Sequence, residues 1–210
     1  MAGQHRLRVL APLAVLLGMG GCHWWQMPPM RRISSDAPPE VRPQVRRLYS
    51  LDPQRRAQGC LDLAGMGEAA APAVPCLIGL LGDRAWAWSP SRWIPYVGKQ
   101  VGSEAAWALS RIGAPAMGPV VEALRSHGSA GVRAGAAGAL GHTADPSVLP
   151  ALIEAVKNDS SSRVRASAAA ALGRFDDPRT APALREAKKD RQARVRKSAT
   201  RSLVQLERGR

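Results

Sequence analysis

From about residue 100 onward, apolar positions recur with a helical period, and the pattern itself repeats as a block. Val132 to Gly141, reading Val-Arg-Ala-Gly-Ala-Ala-Gly-Ala-Leu-Gly, aligns with Val164 to Gly173, Val-Arg-Ala-Ser-Ala-Ala-Ala-Ala-Leu-Gly, at an offset of 32, and Val195 to Leu203 follows at 31. Upstream of each lies a second helical stretch opened by proline, predicting helices over Pro115 to Ser126, Pro146 to Asn158 and Pro178 to Lys189. Proline suits a first turn, where no amide donor is needed, and Gly141 and Gly173 suit the exits. Each unit is therefore helix, turn, helix. Earlier copies are Pro75 to Leu81 with Val101 to Leu109, and Glu40 to Tyr49 with Gln54 to Gly65, where Ala57, Cys60, Leu61 and Leu63 form the apolar side. One pair cannot bury its own apolar stripe, so about five pairs must stack, with stability a sum of repeat and interface terms.

The motif Val-Arg-x-x-Ala-x-x-Ala-Leu-Gly resembles the second helix of short bacterial HEAT repeats, the kind found in phycobilin-lyase-type HEAT-like proteins. The resemblance covers roughly residues 40–208 and fades toward the N-terminus, where Ser103 stands in the place of the motif's Arg. It implies an all-α solenoid, a curved rod with second helices on its concave side. It also gives the recurrent charges a structural role. Arg165 follows Asp159 by six residues and Arg196 follows Asp190 by six, and in HEAT proteins the corresponding Asp and Arg link turns of adjacent repeats. His127 precedes Arg133 by the same six, so the acid is missing there and that junction is expected to be looser.

The N-terminus is organised differently. Arg6 and Arg8 precede the apolar run Val9 to Gly21, which is the layout of a secretory signal peptide and shorter than the ~20 residues of a membrane-spanning helix. The run ends Leu16-Leu17-Gly18-Met19-Gly20-Gly21-Cys22 and resembles the lipobox of bacterial lipoproteins, although Met19 sits where that family usually has Leu. The resemblance implies cleavage after residue 21, a lipid on Cys22, and a periplasm-facing protein held at a membrane of the bacterial envelope. Residues 22–39 then read as a proline-rich tether, with Trp24 and Trp25 beside the anchor suited to the headgroup layer. An incidental apolar pair is the equal alternative.

Composition adds the direction of any attraction. Thirty Lys and Arg against sixteen Asp and Glu leave a net charge of +14, a field that draws phosphates, acidic lipids or acidic proteins. The charge lies at the ends, with net +6 over residues 176–210 and +4 over 31–56. Arg194, Lys197, Arg201 and Arg208 form one stripe of the last helix, opposite Val195, Ala199, Leu203 and Leu206. That stripe is a solvated cap on the terminal repeat and a candidate polyanion-binding surface.

Candidate chemistry is sparse. The four His are scattered, with no His-Glu, His-x-x-x-His or Cys-x-x-Cys arrangement, so the di-iron chemistry of the HEAT-built deoxyhypusine hydroxylases is not implied. No cofactor, metal or small-molecule substrate is expected, and no enzyme activity. Cys60 and Cys76 flank the Gly65 to Glu68 turn about equally. They could form a disulfide worth ~3 kcal/mol, or pack as two buried thiols, the favoured of the two. Asp83 to Gln100 is an insertion between the helices of the second full repeat. Trp86, Trp88, Arg92, Trp93 and Tyr96 lie within it, and these residue types dominate binding hot spots. The alternative is a loop folding its indoles back over the stack. The sequence thus points to a lipid-anchored scaffold or assembly factor that binds a protein partner. Nucleic-acid or other polyanion binding through the basic ends is the second reading, opposed by export.

Overall fold

A computed structural model describes residues 37–88, 98–143 and 145–208. The predicted signal, Cys22 and most of the tether, including Trp24 and Trp25, lie outside the described residues, as do Arg92, Trp93 and Tyr96 of the insertion. The described chain is an all-α solenoid carrying one small strand pair. Helices α1 (Arg42–Leu48) and α2 (Pro53–Met66) form the first pair, and a 3-10 segment over Gly67–Ala73 leads into α3 (Val74–Leu80). Strands β1 (Trp86–Trp88) and β2 (Gly98–Gln100) precede α4 (Val101–Ile112). Then come α5 (Ala114–Ser126) with α6 (Ala130–Leu140), α7 (Leu149–Asn158) with α8 (Ser162–Leu172), and α9 (Thr180–Ala187) with α10 (Ala193–Arg208).

Second helices pack in series, α2 on α4, α4 on α6, α6 on α8 and α8 on α10, while α1, α3, α5, α7 and α9 form the other layer. The motif explains the interface. Val101, Val132, Val164 and Val195 are each fully buried, as are Leu109, Leu140 and Leu172. Alanines between them keep side-chain volume small, so neighbouring helices approach closely.

Gly141 and Gly173 do end α6 and α8, for a different reason from the one expected. Both have φ −68°, a conformation open to any residue, so the left-handed exit is not used. What they supply is space. A methyl at Gly141 would lie 2.7 Å from Cβ of Ala171, and one at Gly173 would lie 2.4 Å from Oγ of Ser202, each on the next second helix. Positive φ occurs instead at Gly67 (56°) and Gly113 (79°), where sharp turns follow α2 and α4. Pro178 also sits in a turn just ahead of α9, which starts at Thr180.

The stretch Pro53–Leu80 is long and apolar enough to cross a bilayer by length and composition. Gly67 bends the chain there, and Cys60, Leu63, Cys76 and Leu77 are fully buried in the stack. Cys60 and Cys76 are both unpaired, so the disulfide alternative is not the one adopted. Burial pushes both thiols above their ordinary range, and the Tyr49 hydroxyl, 3.5 Å from Sγ of Cys76, partly opposes the rise there. They serve as small apolar core residues.

Candidate functional site: a basic groove beside an inserted ribbon

The recurrent arginines lie at the turns between first and second helices, and one rule describes them. Arg165 donates from Nε and Nη2 to both carboxylate oxygens of Asp190 (2.7 and 3.1 Å), and from Nη1 to the carbonyls of Asp159 and Ser160. Arg133 does the same with Asp159 (2.8 and 3.0 Å) and the carbonyls of His127 and Gly128. Each guanidinium therefore takes the carbonyl six residues before it and the carboxylate of the following repeat. Arg196 makes the carbonyl half of the pattern, with Asp190 and Arg191. Sequence reasoning missed a further member: Arg56 on α2 donates to Asp83 at 2.8 Å and to the carbonyls of Ser50 and Leu51.

Two expectations are corrected by this geometry. The acid beside His127 is not needed by Arg133, whose partner is Asp159, one repeat ahead. His127 keeps the other task of the Asp, because its Nδ1 accepts the Ser129 amide at 3.1 Å, as Asp159 accepts that of Ser161 and Asp190 that of Gln192. The missing contact is the one to the preceding repeat. There the buried Val101 fixes the register, so the place of Arg133 and Arg165 is taken by Gly102 and not by Ser103. Between α4 and α6 the ladder therefore lacks both its Arg and its Asp.

Backbone fills that gap. The segment after α3 runs so close that a methyl at Gly102 would lie 2.6 Å from the Leu81 carbonyl oxygen and 2.9 Å from that of Asp83; a methyl at Gly135 would also lie 2.6 Å from the Leu81 oxygen. The Gly102 amide donates to the Asp83 carbonyl at 3.0 Å. From this crossing the insertion departs as an antiparallel ribbon, with Trp86 opposite Gln100, Ala87 opposite Lys99 and Trp88 opposite Gly98. Ala87 is buried, whereas Trp86 is 66% exposed.

Beside the ribbon a groove of about 200 Å³ crosses the second helices, lined by Gly102, Ser103 and Ala106 of α4, Gly135 and Gly138 of α6, and Arg163 and Ser167 of α8. A methyl at Gly138 would meet no atom within 4 Å, so the floor is open there. Nη1 of Arg163 lies 3.8 Å from where a methyl on Gly131 would stand, so its guanidinium leans from α8 over the start of α6. Burial holds the Arg163 guanidinium below its ordinary range, with repulsion from Arg84 and Arg194 adding to the effect. Gly82, two residues before Arg84, lies against the same Gly131, and Arg194 holds on α10 the position that Arg163 holds on α8, so the insertion, α8 and α10 each present a cation along this side of the stack. Among the described residues, none of the three has a carboxylate partner. At the other end of the groove stands His142. Burial, then the charges of Arg174 and Lys99, lower its pKa. It meets Trp107 edge-on at 5.8 Å, and Arg174 lies 2.8 Å from its Nδ1.

Of the residues proposed from sequence, Arg194 joins this cluster. Lys197, Arg201 and Arg208 are exposed along α10, with Lys197 and Arg201 flanking a separate shallow surface. Arg84 lies in the insertion already singled out and His142 is one of the scattered His, while Arg163 and Trp107 were missed. One signal was available, since Arg163 and Arg194 both stand immediately before the motif's Val. Among the described residues, no group of three or more His, Cys, Asp or Glu could hold a metal ion.

A family model of HEAT repeats matches residues 117–204. No curated protein matches the chain. Among solved structures, it is similar to a chain of the Kap95p–RanGDP complex (15% identity, 79% of this chain and 25% of that chain, TM-score 0.54). It is also similar to the CpcE–CpcF complex of phycocyanin lyase from Nostoc sp. PCC7120 (24% identity, 79% of this chain and 64% of that chain, TM-score 0.48). Human deoxyhypusine hydroxylase matches at 18% identity over 85% of this chain and 78% of that chain, with TM-score 0.47. The chain spans less than two thirds of the length of the first two of these. The likeness is one of fold.

Proposed function

We propose that this chain is a non-enzymatic scaffold or assembly factor that binds a protein partner through its second-helix face and the inserted ribbon, tethered to the bacterial envelope by a lipid on Cys22. The observation that carries the binding half is Trp86, a large aromatic side chain left 66% exposed on a ribbon that interrupts the repeat beside an open groove. A solenoid spends no such residue on its own core, and Trp is the side chain most concentrated at interface hot spots. The HEAT-like fold is compatible with the role, since repeat stacks present extended surfaces to proteins. The envelope half rests on the signal and lipobox pattern of residues 1–22.

Crosslinking in native envelopes tests the binding half, comparing the intact chain with Trp86→Ala and with a variant lacking the ribbon. Loss of one specific crosslinked partner in both variants, at unchanged thermal stability, is the expected result; identical crosslinks in all three would refute it. Growth with a clickable fatty acid tests the anchor, and label that persists on Cys22→Ala would dismiss it. The second reading, polyanion binding through Arg194, Lys197 and Arg201, requires affinity for duplex DNA that survives physiological salt and has a steep salt slope.

A further inference from the structure

We propose that the groove across α4, α6 and α8, extended by Arg194 at the start of α10, is the docking site for an extended acidic segment of the partner protein, with Arg84, Arg163 and Arg194 receiving its carboxylates. This deepens the protein-binding reading and rests on it. Four observations support it together. Arg163 and Arg194 stand at equivalent positions on neighbouring second helices, immediately before Val164 and Val195, and on α6 that position is Gly131, where a methyl would lie 3.4 Å from Cα of Gly82, two residues before Arg84, and 3.8 Å from Nη1 of Arg163. Among the described residues, their carboxylate partners are absent, while Arg56, Arg133 and Arg165, two residues further into their helices, are each paired with an acid. Arg163 and Arg194 occupy the second position of their helices, where the macrodipole disfavours a cation. Their placement therefore costs stability in the free protein, and an incoming anion would offset that cost. The floor beyond the Leu81 crossing carries Gly138 with Ser103 and Ser167, and nothing stands within 4 Å of where a methyl on Gly138 would be, which lets a peptide backbone approach closely there.

Spacing selects an extended peptide over a compact anion. Equivalent positions on neighbouring second helices are separated by ~8–10 Å, and an extended chain advances ~3.3 Å per residue, so Arg163 and Arg194 match residues three apart. Arg presents a planar fork that suits a carboxylate in two-point contact. Trp86 beyond one edge and Trp107, 44% exposed beside His142, would cover apolar residues between the acids.

The test uses the full chain and a labelled peptide of about twelve residues with a carboxylate at every third position, long enough to cross four helices. Binding is followed by anisotropy at physiological salt. A micromolar Kd is expected, weakened about tenfold by Arg163→Gln and by Arg194→Gln, as befits loss of one charged hydrogen-bonding partner. Arg185→Gln on α9, a cation on the other layer of the stack, should leave it unchanged, and a peptide of the same composition with its acids clustered should bind several-fold more weakly. Thermal unfolding checks each variant, and Arg163→Lys serves where Arg163→Gln melts early. Equal affinity in Arg163→Gln, or equal loss in Arg185→Gln, would overturn the proposal. So would tighter binding of duplex DNA or of phosphatidylglycerol vesicles through the same arginines. If the crosslinked partner depends on Trp86 but is indifferent to Arg163 and Arg194, the groove proposal fails while the scaffold reading stands. If neither the peptide nor any partner engages, both fall.

Discussion

The junction between α6 and α8 and the junction between α4 and α6 are built on one plan and joined by different means. At the first, Arg133 bridges to Asp159 with two hydrogen bonds, and its remaining donor holds two carbonyls of its own turn. At the second, Gly102 and His127 replace both charges, and the backbone of Leu81 to Asp83 lies directly on Gly102 and Gly135. Side chains that tie turns together can be repeated indefinitely, because each repeat supplies both halves. A backbone crossing can be used once, where the chain must leave the stack. That exit is where the ribbon departs and the groove lies, with Arg84 beside the crossing and Arg163 leaning in from α8. The interruption of the ladder and the candidate site are thus two consequences of one departure from the repeat.

The largest effect that would sharpen this contrast is expected from the most buried rung. Arg56 and Asp83 are 2% and 5% exposed. Arg56→Ala would strand a buried carboxylate, with an expected loss of ~3–5 kcal/mol. Urea unfolding measures it, and a loss below about 1 kcal/mol would mean that the rung is dispensable. Because Asp83 also begins the insertion, this variant should disturb the ribbon as well, whereas Arg165→Ala at the far end should not.

Next in size is an attempt to repair the open junction. By sequence, Gly102→Arg with His127→Asp restores the motif. By structure it destabilises, because a Cβ at position 102 would meet two backbone carbonyl oxygens that cannot move aside as a side chain can. Gly102→Ala alone should cost ~1–3 kcal/mol, and the repaired double variant no less. A rise in melting temperature on making Gly102→Arg with His127→Asp would show that the crossing is soft and the comparison mistaken.

These two cases also mark what was legible in the sequence. The solenoid was legible because self-similarity at Val132, Val164 and Val195 reports burial directly, and the helix boundaries followed from it within a few residues. The ladder was half legible. The paired Asp and Arg were visible, but each Arg closes on an acid about 26 residues ahead, a relation that only stacking creates, so Arg56 went unnoticed and His127 was assigned the wrong consequence. The register error at Ser103 arose because Gly102 leaves no side-chain mark in a sequence. Of the cluster, Arg194 was legible as part of the basic stripe and Arg84 as part of the insertion, but their meeting with Arg163 was not, since the approach of a loop and two helix starts from different repeats is a property of the assembled stack.

A smaller effect is expected from acid. The Arg165 guanidinium holds the Asp190 carboxyl below its ordinary range against a lesser opposing effect of burial. At Asp159 burial works upward, and the bonds from Arg133 and Ser161 outweigh it. A depressed folded-state pKa means stability fully present above the unfolded value of about 4 and lost as pH falls through the folded one. Denaturant midpoints should therefore fall as pH is lowered below about 4, and Arg165→Gln should flatten part of that dependence. An unchanged slope in Arg165→Gln would remove the rung from the account of acid sensitivity.

The smallest effect should come from His127→Asp made alone. It restores the acid at the open junction without the Arg that would meet it, since Gly102 has no side chain. The new carboxylate can still accept the Ser129 amide, as Asp159 accepts that of Ser161, so the turn keeps its cap. One cap is exchanged for another, and no rung is gained. The expected change in stability at neutral pH is within ~0.5 kcal/mol, as for surface substitutions that break nothing. A stabilisation above about 1 kcal/mol would mean that the carboxylate finds a cation at this junction after all. Arg133, already bonded to the His127 carbonyl and shared with Asp159, is the one to mutate next. The same measurement repeated in Gly102→Arg separates the two explanations, because only a true ladder position should couple the substitutions by more than about 0.5 kcal/mol in a double-mutant cycle.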